Sequence, residues 1–485
     1  MSPTSSPNLF DKTNPLSIYG YSANLIGHSL RSLLGDIAVN HERKGKGGLG
    51  QMVEELFFQY DVNSNRDADF KEAGLELKCT PLLKSRDGSH RIKERLVCTM
   101  IDYFELVNTR FEDSHLLSKC QLMLLLFYLH VSGTEIFDYE FLFRVLWQLP
   151  EKDLVLIKQD YETIADKVRN GEAHLLSEGD TLYLGACRKG QKGDSLQKQP
   201  FSEFGAPKRA FSLKPAYMRY ILKHVVDSGD TAYTNYRIRT HDGLQLVSSQ
   251  EISNATFENI IKQRFKPFIG KDYIQICGML GVTPYQSKSK YADICGLIAS
   301  CGQCKRLSET EEFQKSGITM KTIRLTSKGM PKESMSFKNI DYMEVYGNDN
   351  WLESEAYEIF TNRFMFVVFR PDNTKEIHLH NRQTQNEVIE TAYILDDVFF
   401  WTMPTRDLVI AKEYWENIRT NVLENKISLS SFWSLRDHRK FHVRPKGTKQ
   451  NHETDTPHGG KAPKLCYWLN AEYIKTIIDN NKIDE

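Results

Sequence analysis

The sequence predicts an α/β protein made of two copies of one domain in tandem, on three observations. Ala68–Lys78, ADFKEAGLELK, aligns without a gap on Glu311–Lys321, EEFQKSGITMK. The apolar run Leu122–Tyr128, LMLLLFY, has its counterpart in Arg363–Phe369, RFMFVVF. Ala206–Leu222, APKRAFSLKPAYMRYIL, recurs as Ala462–Ile478, APKLCYWLNAEYIKTII. Met100–Leu106 and Asn339–Val345 form a further pair, so order and spacing agree throughout. In each copy, strand-like apolar runs are separated by stretches with helical spacing.

The composition allows this. A chain of 485 residues with 40% hydrophobic and 11% aromatic residues holds two or three domains with proper cores. Lys plus Arg and Asp plus Glu both number 63, so any basic surface must be local. Nine cysteines at scattered spacings argue against a disulfide framework and for a reducing interior. Cys295, Cys301 and Cys304 lack a fourth ligand at zinc-like spacing and read as buried thiols of an apolar helix. Met1–Ser17 has neither the basic start nor the apolar core of a signal peptide. The longest apolar run, Leu122–Leu129, is too short to span a bilayer. The expectation is a cytoplasmic protein with no membrane contact.

Taken in order, residues 22–34 have helical apolar spacing. A Gly- and Lys-rich loop, His41–Gly50, follows, which reads equally as a phosphate-approaching loop or a flexible surface loop. Gln51–Tyr60 reads as a helix carrying Glu54 and Glu55, and Leu75–Cys79 as a short alternating strand. Successive strand side chains point to opposite faces, so Glu76 and Lys78 share one. Asp69 lies behind Gly74, a turn position that lets the chain fold back. Two carboxylates converging on a point suit Mg²⁺, and a nearby ammonium can orient or help deprotonate water and offset phosphate charge. Arg95–Thr99 reads as the next strand and Leu122–Leu129 as a fully buried one, with Lys119 just ahead of it. A helix spans residues 154–170. Lys208–Lys223 holds five Lys/Arg and no acid, mixed with Phe211, Tyr217 and Tyr220. That pattern fits a nucleic-acid face or a solvated helix face.

Three separated segments, Lys46–Glu54 (KGGLGQMVE), the Asp69 stretch and Ser114–Lys119 (SHLLSK), together resemble the MutH family of PD-(D/E)xK nucleases. That family includes a mismatch-repair nicking enzyme and GATC-cutting type II restriction enzymes with two MutH-like halves. The Pro of the family name is absent, since Ala68 precedes Asp69. The resemblance implies two tandem PD-(D/E)xK domains, each with a mixed central sheet flanked by helices. It implies Asp69, Glu76 and Glu54 as metal-holding carboxylates for Mg²⁺, with Lys78 and Lys119 placing the attacking water. It puts Lys46 and Gly47 beside the DNA backbone and Arg188, followed by Lys189, where the family carries a site-reading arginine. Arg is also the side chain best shaped to grip guanine O6 and N7 together. Lys208 and Tyr217 join the same DNA-binding set.

The second copy differs where chemistry would happen. Glu312 replaces Asp69, Thr319 replaces Glu76, Phe360 falls opposite Lys119, and no counterpart of Glu54 follows Asp293; only Lys321 keeps its type. One carboxylate cannot hold a Mg²⁺ that keeps most of its water. Arg436–Lys449 nevertheless keeps six Lys/Arg, including Arg444 and Lys446, against one acid. The expected organisation is therefore a catalytic domain at 1–224, a linker at 225–251 and a degenerate DNA-binding effector domain at 252–485. The implied activity is Mg²⁺-dependent cleavage of double-stranded DNA at GATC, 5′ of G, leaving 5′-phosphates. A second DNA site engages the C-terminal domain, and a cognate methyltransferase acts in the same system without direct contact. The alternatives are a MutH-like mismatch-repair nickase, disfavoured by a chain twice as long, and a non-catalytic DNA-binding regulator.

Overall fold

The computed structural model describes residues 9–35, 48–60, 67–85, 87–189, 196–228, 243–381, 384, 386–437, 439–446 and 453–484. They fall into two compact units. The first comprises residues 1–176, 181–244 and 314–317, the second 177–180, 245–313 and 318–485.

In the first unit the strands are β1 (Glu76–Lys84), β2 (His90–Ile92), β3 (Leu96–Met100), β4 (Leu122–Leu129), β5 (Phe141–Gln148), β6 (Leu184–Arg188), β7 (Leu196–Gln197), β8 (Ala206–Pro207) and β9 (Arg209–Leu213). The main sheet is mixed, in the order β2-β1-β4-β5. β4 runs parallel to β1, with Met123 opposite Glu76 and Leu125 opposite Lys78, and antiparallel to β5. Met123 through Phe127 are fully buried, as a central strand covered on both faces requires. A second, antiparallel sheet has the order β3-β9-β6.

The helix Glu151–Arg169 follows β5 and packs against β6. Its buried stripe includes Leu156, Ile157, Tyr161, Ile164 and Val168, with Asp160 among them. Asp160 accepts the N–H groups of Leu182, Tyr183 and Leu184 at 2.6, 2.7 and 2.9 Å, which fixes where β6 begins. Burial pushes its carboxyl up to about 6, with Lys214 and those N–H groups pulling the other way.

The second unit contains β10 (Thr319–Arg324), β11 (Met335–Asn339), β12 (Arg363–His380), β13 (Glu387–Thr402), β14 (Phe441–Pro445), β15 (Glu453–Asp455), β16 (Lys461–Pro463) and β17 (Leu465–Leu469). Its sheets have the orders β10-β12-β13 and β11-β17-β14. As in the first unit, one sheet is mixed and the other antiparallel.

Equivalent contacts recur inside each unit. Asp102 caps the helix Tyr103–Leu106, and Asp341 caps Tyr342–Gly347. Tyr103 donates its hydroxyl to the Pro207 carbonyl at 2.6 Å, and Tyr342 donates to that of Pro463 at 2.6 Å. Tyr217 and Tyr473 donate to Asp153 and Asp407 at 2.7 and 2.6 Å.

Several expectations need correction. Residues 22–34 are not one helix: Pro15–Tyr21 is α-helical, Ser22–Leu25 is a 3₁₀ turn, and Leu30–Leu34 a second short helix. Gly27, at φ 80°, breaks the run. The helix from residue 51 starts at Gly48 and widens into a π turn over Val53–Phe57. Both ends of the expected linker are structured, since Val225 lies in the helix Pro215–Ser228 and Ser249 opens the helix Ser249–Asn254. Between them, residues 229–242 lie outside the described residues. Of the three clustered cysteines only Cys295 is buried in a helix; Cys301 is exposed past its end. Among the described residues, no helix is long and apolar enough to cross a membrane.

Candidate active site

Gly74 adopts the left-handed conformation at φ 60° and closes the 3₁₀ turn Lys71–Ala73. Phe70 and Leu75 then exchange backbone hydrogen bonds of 2.9 and 3.2 Å across it. This reversal sets Asp69 back against the start of β1. The Leu77 N–H donates to Asp69 Oδ2 at 2.9 Å, and the Asp69 N–H reaches Glu76 Oε2 at 3.3 Å.

Glu76 is only 1% exposed. Lys78, on the same face of β1, donates to its Oε1 at 2.6 Å. Lys119 donates to both Glu76 oxygens at 3.3 Å. It arrives on the helix His115–Cys120, whose first turn is capped by Ser114. That helix leads into β4, and the parallel register of β4 on β1 sets its end level with Glu76.

Glu54 comes from the π turn, where the Phe58 N–H bonds the Val53 carbonyl at 3.0 Å. Such widened turns recur at functional sites. Glu54 is 5% exposed, and its Oε1 has no hydrogen-bond partner among the described residues. Burial pushes its carboxyl up to about 8, helped by the charges of Asp69 and Glu76 and opposed by Lys119 and Lys78. Burial, then Glu76, also raises Asp69. For Lys78, burial works against the charge, but Glu76 outweighs it and holds the ammonium above its ordinary value. Three acids thus share two ammonium groups in a poorly hydrated spot.

That balance suits a hard divalent cation, because added positive charge would relieve crowded carboxylates and oxygen donors are what such ions take. The orphaned Glu54 Oε1 is one such donor. Among the described residues, however, no three His, Cys, Asp or Glu side chains already stand arranged as a closed ligand group. The oxygens of Glu76 are engaged by lysines instead.

The family model described as DNA mismatch repair enzyme MutH matches residues 58–160, which span the Asp69 turn, β1, Lys119 and β4. Over that stretch the chain is similar to the MutH-like nucleases. It is 29% identical over 482 residues to the type II restriction enzyme Sau3AI of Staphylococcus aureus, covering 94% of this chain and 92% of that enzyme. It is 25% identical over 192 residues to the DNA mismatch repair protein MutH of Shewanella amazonensis, covering 38% of this chain and 82% of that protein.

The other candidate residues of this chain are more scattered. Lys46 and Gly47 lie outside the described residues. Arg188 ends β6 exposed, with Lys189 next to it and Lys208 exposed across the pair; the Lys189 N–H bonds the Lys208 carbonyl at 2.9 Å. The basic-aromatic segment that follows is mostly interior. Tyr217 is fully buried, so its assignment to a DNA face is corrected. Its hydroxyl and the Lys315 ammonium, both at 2.7 Å, satisfy the buried Asp153. Arg209 and Lys214 are buried too, donating to the carbonyls of Ala186 and Thr181. Mixed basic and aromatic residues here satisfy buried acids and carbonyls, which sequence composition cannot distinguish from a ligand face.

In the second unit, Glu312 is fully buried and accepts the N–H groups of Leu246 and Val247 at 2.9 and 3.2 Å. Phe360 is fully buried in the core. Arg444 lies 3.8 Å from the Trp468 ring centroid. A cleft of about 550 Å³ is lined by Arg436, Asp437, His442 and Arg444 among others. The sequence pattern assigned no role to His442 or Asp160. For Asp160 a signal existed, an acid on the apolar stripe of a helix.

Proposed function

We propose that the chain is a type II restriction endonuclease that hydrolyses double-stranded DNA at GATC, cutting 5′ of G to leave 5′-phosphates. The observation that carries the reading is Glu76, held by Lys78 and Lys119, with Asp69 and Glu54 beside it, the Glu54 Oε1 having no partner among the described residues. Asp69, Glu76 and Glu54 would hold Mg²⁺, which when bound polarises the scissile phosphate and a water molecule. Lys78, its charge secured by Glu76, is not a base here; it orients the water and offsets charge on the phosphate. Lys119 supports it from the helix that leads into β4. Water then displaces the 3′ oxygen in line.

The same reading makes the chain a tandem of two homologous domains, supported by the duplicated Asp caps, Tyr–Pro contacts and Tyr–Asp pairs. The second domain keeps one of the three acids, Glu312, too few to hold the metal; it keeps Arg444 and Lys446 and acts as a DNA-binding effector. Such an enzyme would work in a prokaryotic cytoplasm beside a cognate methyltransferase. Digestion of a sequenced plasmid in Mg²⁺, with the ends mapped, tests the proposal. Ends at another sequence would replace GATC, and nicks in one strand only would favour the mismatch-repair alternative.

A further inference from the structure

We propose that the second unit carries a metal-independent site for a DNA backbone phosphate, built on Lys321 and Lys446. This rests on the reading of that unit as DNA-binding and says which chemistry does the binding.

Lys321 stands on β10 opposite Phe366 of β12, as Lys78 stands on β1 opposite Leu125 of β4. The surroundings of the two lysines differ. Lys78 has Glu76 two residues before it, whereas Lys321 has Thr319. The Lys321 ammonium turns to β11 instead, donating to the Ser336 carbonyl at 2.8 Å and lying 5.0 Å from the Phe337 ring centroid. Lys446, exposed just past the end of β14, donates to the Phe337 carbonyl at 3.3 Å. Two ammonium groups thus converge on adjacent residues of one strand. Among the described residues, neither has a carboxylate within ion-pair distance. Each ammonium carries three N–H donors and spends one on these carbonyls, leaving donors for a ligand.

The electrostatics mirror the first unit. There, an added cation would relieve surplus carboxylate. Here, burial and then the charge of Lys446 push Lys321 down to about 8, and an anion is what would relieve the pair. The neighbouring cations choose the kind of anion. Arg444 lies against Trp468, Arg439 lies 4.0 Å from the Trp433 ring centroid, and Arg436 lines the cleft. Several cations on the one segment that ends in Lys446 fit a phosphodiester chain better than one free phosphate.

The test is lysine footprinting on the full chain in a chelator, which silences metal chemistry. An amine-reactive acylating reagent is applied at pH 8, with and without a saturating short duplex carrying the site, and labelled peptides are read by mass spectrometry. The duplex is expected to protect Lys321 and Lys446 together. Lys446→Met should slow labelling of Lys321 in the free protein, because removing the neighbouring charge keeps Lys321 protonated. Lys321→Met with Lys446→Met should lower the salt slope of duplex binding by about 1, the share of one phosphate contact. Unchanged labelling of both lysines under bound duplex, or a need for Mg²⁺ before protection appears, overturns the proposal. Protection without any influence of a second DNA site on cleavage would instead refute the effector role alone.

Discussion

Lys119 donates to both carboxylate oxygens of Glu76, 3.3 Å each, across 43 residues of chain. The contact exists because the helix bearing Lys119 feeds a strand laid parallel on the one that begins with Glu76. One acid therefore anchors two ammonium groups, and its removal disturbs the charge of the whole site.

Glu76→Ala should reduce cleavage by about a thousandfold or more while specific DNA binding persists, since one electrostatic contact to a transition state can be worth about 10²–10³. Thr319→Ala, at the matching place in the second unit, should leave cleavage unchanged. Near wild-type cutting by Glu76→Ala would remove the catalytic assignment.

Arg188→Ala should weaken binding to the specific site by about 1–3 kcal/mol if the exposed guanidinium contacts a base. Competition against a random duplex at two salt concentrations decides. Equal loss on both duplexes makes it a phosphate contact.

The second unit should make cleavage depend on a second copy of the site. A coupling of about 1–3 kcal/mol would speed a two-site plasmid roughly 5- to 150-fold over a one-site plasmid, if it passed fully into the rate. Short uncleavable duplexes should rescue the slow substrate, and Arg444→Ala with Lys446→Ala should erase the difference. Equal rates on both plasmids, at enzyme well below site concentration, would leave the unit a scaffold or an extra clamp.

Asp160 gives a pH dependence of stability. Its folded pKa, about 6, lies above the ordinary 3.8, so the folded state keeps this proton to higher pH than the unfolded chain. The resulting contribution is full below about pH 4 and is lost as pH rises through about 6, on the order of 2–3 kcal/mol. Urea titrations from pH 4 to 7 should show that slope in the wild type and a reduced one in Asp160→Asn. Equal slopes would mean the carboxyl titrates normally.

Tyr217→Phe tests the corrected role of that residue. Loss of its hydrogen bond to the Asp153 carboxylate should cost about 1.5–3 kcal/mol in thermal or urea unfolding, with DNA affinity of the folded protein retained. A selective loss of DNA affinity would reinstate it at the interface.

The sequence by itself determined the strand carrying Glu76 and Lys78, the turn at Gly74 and the buried strand at Leu122–Leu129. Each follows from short-range rules: alternation along a strand, glycine's freedom at positive φ, and burial of a continuous apolar run. Tertiary structure alone decided which charges are buried against carbonyls and carboxylates and which stand exposed. Arg209, Lys214 and Tyr217 look like a DNA face in one dimension but are buried against carbonyls and Asp153. Lys119 looks like a strand-end charge until the parallel register brings it to Glu76. Lys321 and Lys446 are unrelated in sequence until β11 runs between them. The cost of burying a charge depends on what faces it across the fold, and that partner is rarely a neighbour along the chain.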